Sequence, residues 1–292
     1  MNSTVSFRTT VAVALLLISG SFTACKKNLS ATLSPAGETG NAADAVVGIN
    51  SINSTWSVNW DGYATGTTYT SGNAAADFGN VTGWNNSRAY ISNGNLRIQL
   101  DPNALSAAGG VVANIDVSDG TAYEMDYDIR FHSQFDWSRG GKVGFGFSVG
   151  DGNTGGDPGW DGNGGSLRLM WYQNDAGRVY FQPYLYYKDQ PGDYGDDFGL
   201  SYPASGSIQK GTTYHVHLYI KSNTGSNTDG HVQIVINGTV LLDRNIRWTT
   251  NDRKRQIREV TFHTFRGGSQ SYWESSSVGY IYYDNLSVHK IN

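Results

Sequence analysis

Cysteine, proline and charged residues are scarce in this 292-residue chain. It contains one Cys, 6 Pro and 16% charged residues, against roughly 25% charged residues in a typical soluble domain. A single thiol excludes an intramolecular disulfide and a cysteine-based metal site. No long segment has the 3.6-residue hydrophobic period of an amphipathic helix, and a net charge of -4 does not favour nucleic acid as a partner. The stability of the fold must therefore come from its core.

Glycine and aromatic residues are abundant instead, and hydrophobic residues recur with period 2 from Trp56 onward. Residues 123–131 alternate between apolar and charged side chains, and residues 214–221 repeat this alternation. The dipeptide Asn237-Gly238 between two further runs predicts a hairpin with a type I′ turn. Many antiparallel strands with glycine-rich connections predict an all-β fold, an antiparallel β-sandwich or β-jelly roll with a concave substrate groove.

The N-terminal segment is typical of export rather than of a folded domain. Arg8 precedes an apolar run over residues 11–18, and small residues lead to Ala24 and Cys25. This pattern predicts a lipoprotein signal peptide over 1–24 with lipidation at Cys25, with an ordinary secretory signal as the alternative. Residues 25–54 are rich in Ala, Ser, Thr, Asn and Gly and predict a flexible tether. We expect one domain over 55–292, monomeric and lipid-anchored in the bacterial cell envelope, at the periplasmic face of the outer membrane or at the cell surface.

Two predicted strands carry polar and aromatic side chains on the same face. Ser166 and Arg168 share a face of the first strand, and alternate residues from Tyr180 to Lys188 share a face of the second. A five-residue loop over 173–177 would place Arg168 opposite Gln182 and Ser166 opposite Tyr184. A four-residue loop would instead place Arg168 opposite Pro183 and separate the two polar rows.

Cationic, amide and phenol groups in such a set suit β-elimination in a uronate polymer. The C-5 proton of a uronate is poorly acidic beside an ionised carboxylate, so the enzyme must neutralise the carboxylate and stabilise an enolate-like intermediate. Lys142 and Arg168 are the predicted cations, and Gln182 is the predicted carboxylate clamp. Tyr180 is the predicted acid/base group, and Ser166 is placed to orient the others. This chemistry requires no cofactor.

The spacing of Lys142, Ser166-x-Arg168 and Tyr180 resembles polysaccharide lyase family 14, which comprises alginate and glucuronate-polymer lyases with a β-jelly-roll fold. The resemblance implies these four residues as active-site residues and an anionic polysaccharide as substrate. The family usually has a second tyrosine at the position of Gln182. The related glucuronan lyases of family 20 use a glutamine and a tyrosine in the groove, so the substrate is expected to be alginate or glucuronan.

Further residues are predicted to line the groove and bind substrate. They are Gln182, Tyr184, Tyr186, Lys188, His215 and His217. The two histidines share the polar face of one strand, and no third ligand is evident, so no metal site is predicted there. A glycine-rich loop carries Asp151, Asn153, Asp157 and Asp161. Oxygen ligands at this spacing suit a structural Ca²⁺, although the spacing is not that of an EF-hand.

Two other function classes stay open at this point. The same groove would serve a non-catalytic carbohydrate-binding lipoprotein. Alternatively, Glu124, Asp126 and Asp128 resemble the Glu-x-Asp-x-Glu catalytic strand of family 16 glycoside hydrolases, in which two carboxylates about 5–5.5 Å apart support a retaining mechanism. The first alternative predicts a flat aromatic platform, and the second predicts that Glu124 and Asp128 line the groove.

Overall fold

The computed structural model describes residues 54–292. The predicted signal peptide over 1–24, the lipidation at Cys25 and all but the last residue of the tether over 25–54 lie outside the described residues and stay predictions. Within the described part of the chain, no helix is both long enough and apolar enough to cross a membrane.

Two antiparallel sheets make up the fold. The strands of the eight-stranded sheet are β1 (Thr55–Val58), β3 (Ala89–Ser92), β4 (Asn95–Leu100), β6 (Ala122–Phe131), β11 (Thr213–Lys221), β12 (Gly230–Ile236), β13 (Thr239–Ile246) and β15 (Gly279–Lys290). Their order in the sheet is β13-β12-β11-β6-β15-β4-β3, and β1 pairs with β15 beside β4.

The strands of the seven-stranded sheet are β2 (Val81–Thr82), β5 (Val111–Gly120), β7 (Gly140–Lys142), β8 (Phe145–Gly150), β9 (Gly164–Gln173), β10 (Val179–Tyr186) and β14 (Ile257–Arg266). Their order in the sheet is β10-β9-β7-β14-β5-β2, and β8 follows β7 along the chain in the same position between β9 and β14.

Helical segments are few and short in residues 54–292. They are α1 (Ser71–Phe78), α2 (Ser106–Gly109) and three single 3₁₀ turns at Gly159–Asp161, Asp252–Lys254 and Ser271–Trp273. Thr70 and Asn73 form a capping box at the start of α1, in which each side chain accepts a hydrogen bond from the other residue's backbone N–H.

The core lies between the two sheets and follows from the period-2 pattern. Leu167, Leu169 and Trp171 of β9 are buried, as are Val216 and Leu218 of β11. Their strand neighbours point to the opposite face because successive strand residues alternate. The predicted all-β sandwich of jelly-roll type is confirmed.

The predicted hairpin is also confirmed. Asn237 and Gly238 connect β12 to β13 with φ values of 49° and 76°. Positive φ at both central residues is what a type I′ turn requires, and Asn-Gly is the pair that adopts it at least cost. The alternating segments over 123–131 and 214–221 form β6 and β11, which pair with each other.

A two-residue bulge separates β7 from β8. On one side, β7 and β8 pair with β14 in a single register from Lys142 to Phe145. On the other side, the register of β8 with β9 differs by two residues from that of β7 with β9, and the change falls at Val143-Gly144. Gly144 has a φ of +77°, and a Cβ there would lie 2.7 Å from the ring of Tyr127, so only glycine fits. Without the bulge Lys142 would lie opposite Tyr172; with it, Lys142 lies opposite Met170, one row nearer to Arg168.

Candidate active site

The outer face of the seven-stranded sheet carries the polar row predicted from the sequence. From β10, the alternate residues Tyr180, Gln182, Tyr184 and Tyr186 pair with Tyr172, Met170, Arg168 and Ser166 of β9. Both predicted registers are wrong, because Arg168 lies opposite Tyr184 rather than opposite Gln182 or Pro183. The connecting loop does contain five residues, but it spans Asn174–Arg178 instead of 173–177. The shift from the five-residue prediction is two residues, an even number, so the two polar rows still share one face.

Lys142, Arg168 and Tyr184 form the centre of this face. The Nζ atom of Lys142 lies 4.0 Å from the centroid of the Tyr184 ring, and the Cζ atom of Arg168 lies 5.3 Å from the same centroid. The aromatic ring is therefore within cation–π distance of both groups and attracts their positive charges through its quadrupole. Gln182 and Met170 complete the row that begins at Lys142.

The polar side chains here are buried although they lie on an outer sheet face. Lys142 is 8% exposed, Arg168 5% and Gln182 7%. Neighbouring loops account for this burial: Gly195 packs against the ring of Tyr184, and the loop after β8 hydrogen-bonds to β9 and β10. Lys142, Arg168 and Tyr184 with their buried neighbours thus form a polar site shielded from water, which we call the recess.

Burial sets the protonation of Lys142. Removal from water, reinforced by the positive charge of Arg168, lowers the pKa of the Lys142 ammonium from 10.5 to about 7. Burial also lowers the pKa of the Arg168 guanidinium, which stays cationic because its ordinary value is above 12. Near neutral pH the site therefore holds a fixed cation beside an amine that exists in both charged and neutral forms.

His263 is a site residue that the sequence analysis did not find. It lies on the outer face of β14, in register with the bulge at Gly144, and is 7% exposed. Burial, Arg168 and Lys142 together lower the pKa of its imidazole to about 3, so the ring is neutral. The sequence analysis assigned it no role, because β14 and β9 are brought together only by the sheet.

Buried polar atoms in this recess lack partners within the described chain. Nε and Nη2 of Arg168 and Nδ1 of His263 have no hydrogen-bond partner among residues 54–292. Unpaired buried polar atoms are costly, and those that lie in a candidate site are available to a ligand. Two unpaired guanidinium donors fit the two oxygens of a carboxylate.

Ser166, Tyr186 and Lys188 hold the flanking loops. Ser166 Oγ donates to the carbonyl of Asn153 over 2.8 Å, and the Tyr186 hydroxyl accepts from the N–H of Gly156 over 3.1 Å. Lys188 follows the end of β10, and its Nζ donates to the carbonyl of Trp160. These residues shape the wall of the recess, next to the predicted centre.

Tyr180 lies one row further along the strands than Gln182. Its ring packs 5.7 Å from that of Tyr172 and 4.6 Å from the Cζ atom of Arg178. Burial is the main cause that raises the pKa of its phenol. The cation that contacts the ring of Tyr180 is Arg178, and the predicted cations Lys142 and Arg168 lie beside Tyr184 instead. Its catalytic role stays a prediction.

The structure does not bring His215 and His217 to this recess. Both lie on the outer face of the eight-stranded sheet, where His215 Nδ1 is 2.9 Å from Asp128 and His217 Nδ1 is 3.0 Å from Asp126. Glu124, the third carboxylate of β6, pairs with His289. The carboxylate row therefore faces away from Lys142, and the glycoside hydrolase alternative finds no support in this arrangement.

The oxygen-rich loop is held by protein contacts. Asp151 pairs with Lys254, Asp161 accepts hydrogen bonds from Asn163, and Asn153 Nδ2 donates to Asp157 over 3.3 Å. Within residues 54–292, no group of three or more His, Cys, Asp or Glu side chains is arranged to hold a metal ion. Calcium binding by this loop stays a prediction.

Comparison with known proteins decides the family. The model of the family described as Polysaccharide lyase 14 matches residues 79–286, which is most of the described chain. This chain belongs to polysaccharide lyase family 14. It is therefore a polysaccharide lyase, rather than a non-catalytic glycan-binding protein.

Solved structures agree with the family. The alginate lyase Aly36B is 73% identical, covers 83% of this lyase and 99% of its own chain, and superposes with a TM-score of 0.82. A double mutant of Aly36B in complex with an alginate tetrasaccharide is 72% identical over the same shares of the two chains, with a TM-score of 0.82. The PL-14 alginate lyase from Aplysia kurodai is 20% identical, covers 82% of this lyase and 99% of its own chain, and has a TM-score of 0.65, which supports the fold. No curated protein matches this lyase.

Proposed function

We propose that this lyase cleaves alginate by β-elimination, and that Lys142 both removes the C-5 proton and protonates the leaving oxygen. The observation that carries the proposal is the buried Lys142 amine with its pKa of about 7, beside the unpaired Nε and Nη2 donors of Arg168. Alginate is favoured over glucuronan because Aly36B, 73% identical, is an alginate lyase and has been solved with alginate oligosaccharides.

Arg168 supplies the charge that the reaction needs. Its unpaired Nε and Nη2 donors would bind the uronate carboxylate in bidentate fashion. This contact makes the C-5 proton more acidic and stabilises the enolate-like intermediate in a dry recess, where an electrostatic contact is stronger than in water. His263 stays neutral and offers its Nδ1 atom to a sugar hydroxyl.

Lys142 then acts as base and as acid. The neutral amine takes the C-5 proton, the C4–O bond breaks as the 4,5 double bond forms, and the resulting ammonium donates the proton to the leaving oxygen. Acid/base catalysis is most efficient when the pKa lies near the working pH. Burial raises the pKa of the phenols of Tyr184 and Tyr180, so the Lys142 ammonium is a far stronger acid than either tyrosine.

The substrate is tested by the ultraviolet absorbance of the unsaturated product. Purified enzyme is incubated with alginate, poly-mannuronate, poly-guluronate and glucuronan, and the appearance of the 4,5 double bond is followed. We expect a rise on alginate and on at least one of its blocks. A rise on glucuronan alone would move the substrate to that polymer, and a flat trace on all four would contradict the proposed function.

Two conservative variants distinguish the tyrosines in the same assay. Tyr184→Phe removes a hydroxyl from the centre of the site, where it would donate a hydrogen bond to the leaving oxygen as charge develops there, and we expect kcat to fall by about 10²-fold. Tyr180→Phe removes a hydroxyl one row away and should cost far less. The opposite order would restore Tyr180 as the acid/base group and displace Lys142 from that role.

For the envelope location we propose lipidation of Cys25. The support is the small-residue stretch that ends at Ala24, directly before the only cysteine of the chain. Expression of the full-length chain in a bacterium fed radiolabelled palmitate should label the protein, and Cys25→Ala should remove the label. Equal labelling of both forms would contradict the anchor.

A further inference from the structure

A second cluster of aromatic side chains lies on the same outer face, beyond the row of Gln182 and Met170. The ring of Tyr172 packs 5.7 Å from Tyr180 and 5.9 Å from Trp273, and Trp273 packs 6.0 Å from Tyr272. We call Tyr172, Tyr180, Tyr272 and Trp273 the aromatic platform. Tyr272 is 66% exposed, so this cluster of packed rings reaches the solvent, as contiguous apolar patches at binding sites do.

Arginines accompany the aromatic platform. The Cζ atom of Arg139 lies 4.9 Å from the ring centroid of Tyr172. Arg178 lies over Tyr180, but its guanidinium donates to Gly206, Ser201 and Pro203 and is held in the protein. Arg139 is therefore the arginine that is placed to bind a ligand.

The partner of Arg139 is easily displaced. Arg139 pairs with Asp175, whose side chain is 91% exposed. An ion pair at the surface contributes little to stability, because water and salt screen it. A carboxylate of a bound polymer can therefore take the place of Asp175 at little cost.

A shallow, open depression of about 490 Å³ lies beside Arg139. It is lined by Ser138, Arg139, Gln173, Asn174, Asp175 and Tyr272. Its volume lies within the range of roughly 300–1,000 Å³ that is typical of ligand sites. The aromatic platform thus combines a ring surface, a cation and room for a sugar.

The aromatic platform is continuous with the active site. Tyr172 lies opposite Gly140, and Met170 lies opposite Lys142. Two residues along a strand span about 7 Å, comparable with the length of one sugar ring. A polymer with one residue at Lys142 therefore reaches the aromatic platform with its next residues in the same direction.

We propose that the aromatic platform is a distal subsite for a uronate residue of the polymer being cleaved. The carboxylate of that residue replaces Asp175 at Arg139, and the apolar face of its ring packs on Tyr272. The inference rests on the proposed function, because it needs a uronate polymer at Lys142. Such a subsite makes long chains bind more tightly than short ones, because sugar residues remote from the reacting bond also contact the protein.

Binding can be measured apart from catalysis. Alginate disaccharide, longer alginate oligosaccharides and the polymer are titrated calorimetrically into the Lys142→Ala protein, which leaves them uncleaved. In this background, Arg139→Ala and Tyr272→Ala should each weaken polymer binding about two- to fivefold. Asp175→Asn should tighten it by a similar factor, because it frees Arg139. Disaccharide binding should be the same in all four proteins.

The opposite signs at Arg139 and Asp175 make the test decisive, since a structural role of the pair would give both changes the same sign. Equal changes for disaccharide and polymer, or no change for the polymer, would overturn the subsite. If Asp175→Asn tightened the binding of a neutral β-glucan by the same factor, the role of the charge of Arg139 would be overturned. Thermal melting confirms that each variant is folded. Failure of the proposed function shows separately, as the absence of unsaturated product from the wild type.

Discussion

Replacing Lys142 by methionine is expected to remove nearly all elimination activity and at the same time to stabilise the folded protein. Loss of the proton-transferring group should lower kcat by about 10²–10⁴-fold. Methionine fills a similar volume without a charge, and exchange of buried ionic groups for apolar ones often stabilises a protein by about 1–4 kcal/mol. Activity and thermal melting are measured on the same preparation.

The gain in stability should depend on pH. Between about pH 7 and pH 10.5 Lys142 binds fewer protons in the folded than in the unfolded protein, so the free energy of unfolding of the wild type rises with pH in that window. The cost of burying the charge is fully present below pH 7, where Lys142→Met should gain most, and is absent above pH 10.5. Lys221→Met, on an exposed strand position of the other sheet, is the control. A destabilised Lys142→Met protein at pH 6 would contradict the lowered pKa.

Replacing Arg168 by glutamine is expected to lower kcat/KM by about 10²–10³-fold, the cost of removing one charge-stabilising contact from a transition state. It should also move the pH dependence. Arg168 lowers the pKa of the Lys142 ammonium, so its loss raises that pKa. The rise of residual kcat/KM with pH should then occur at more alkaline pH than in the wild type.

The two effects of Arg168→Gln are read from one pH–rate profile on alginate. Arg97→Gln is a matched control, because Arg97 also lies over tyrosine rings and has an unpaired Nε, but belongs to the eight-stranded sheet. We expect the control to keep the wild-type profile. An unshifted profile in Arg168→Gln would show that Lys142 is not the group whose deprotonation limits the rate.

Local patterns predicted which side chains share a face, but not how the strands align. Successive side chains of a strand point to opposite faces, so the shared face of Ser166 and Arg168 in β9, and that of Gln182 and Tyr184 in β10, was predictable. Their register depends on the loop, where Asn174 Oδ1 accepts from the N–H groups of Ala176 and Arg178. This asparagine-led turn begins the loop one residue later than predicted, and the pairing shifts by two.

The sheet that each strand joins could not be predicted from local sequence patterns either. His215 and His217 alternate just as the site residues do, yet β11 joins the eight-stranded sheet, so their polar face is on the far side of the molecule. His263 reaches Arg168 and Lys142 only because β14 pairs beside β7. Contacts between segments about a hundred residues apart depend on the whole topology, and no short motif encodes them.

The carboxylate row of β6 and the cations of the recess lie on opposite outer faces of one thin sandwich. The two faces therefore differ in local charge. A polyanion approaching from solution is repelled by the carboxylates of Glu124, Asp126 and Asp128. It is attracted to the face that carries Lys142 and Arg168. Encounters are thereby oriented before contact, and a larger fraction of collisions is productive at low salt than at high salt.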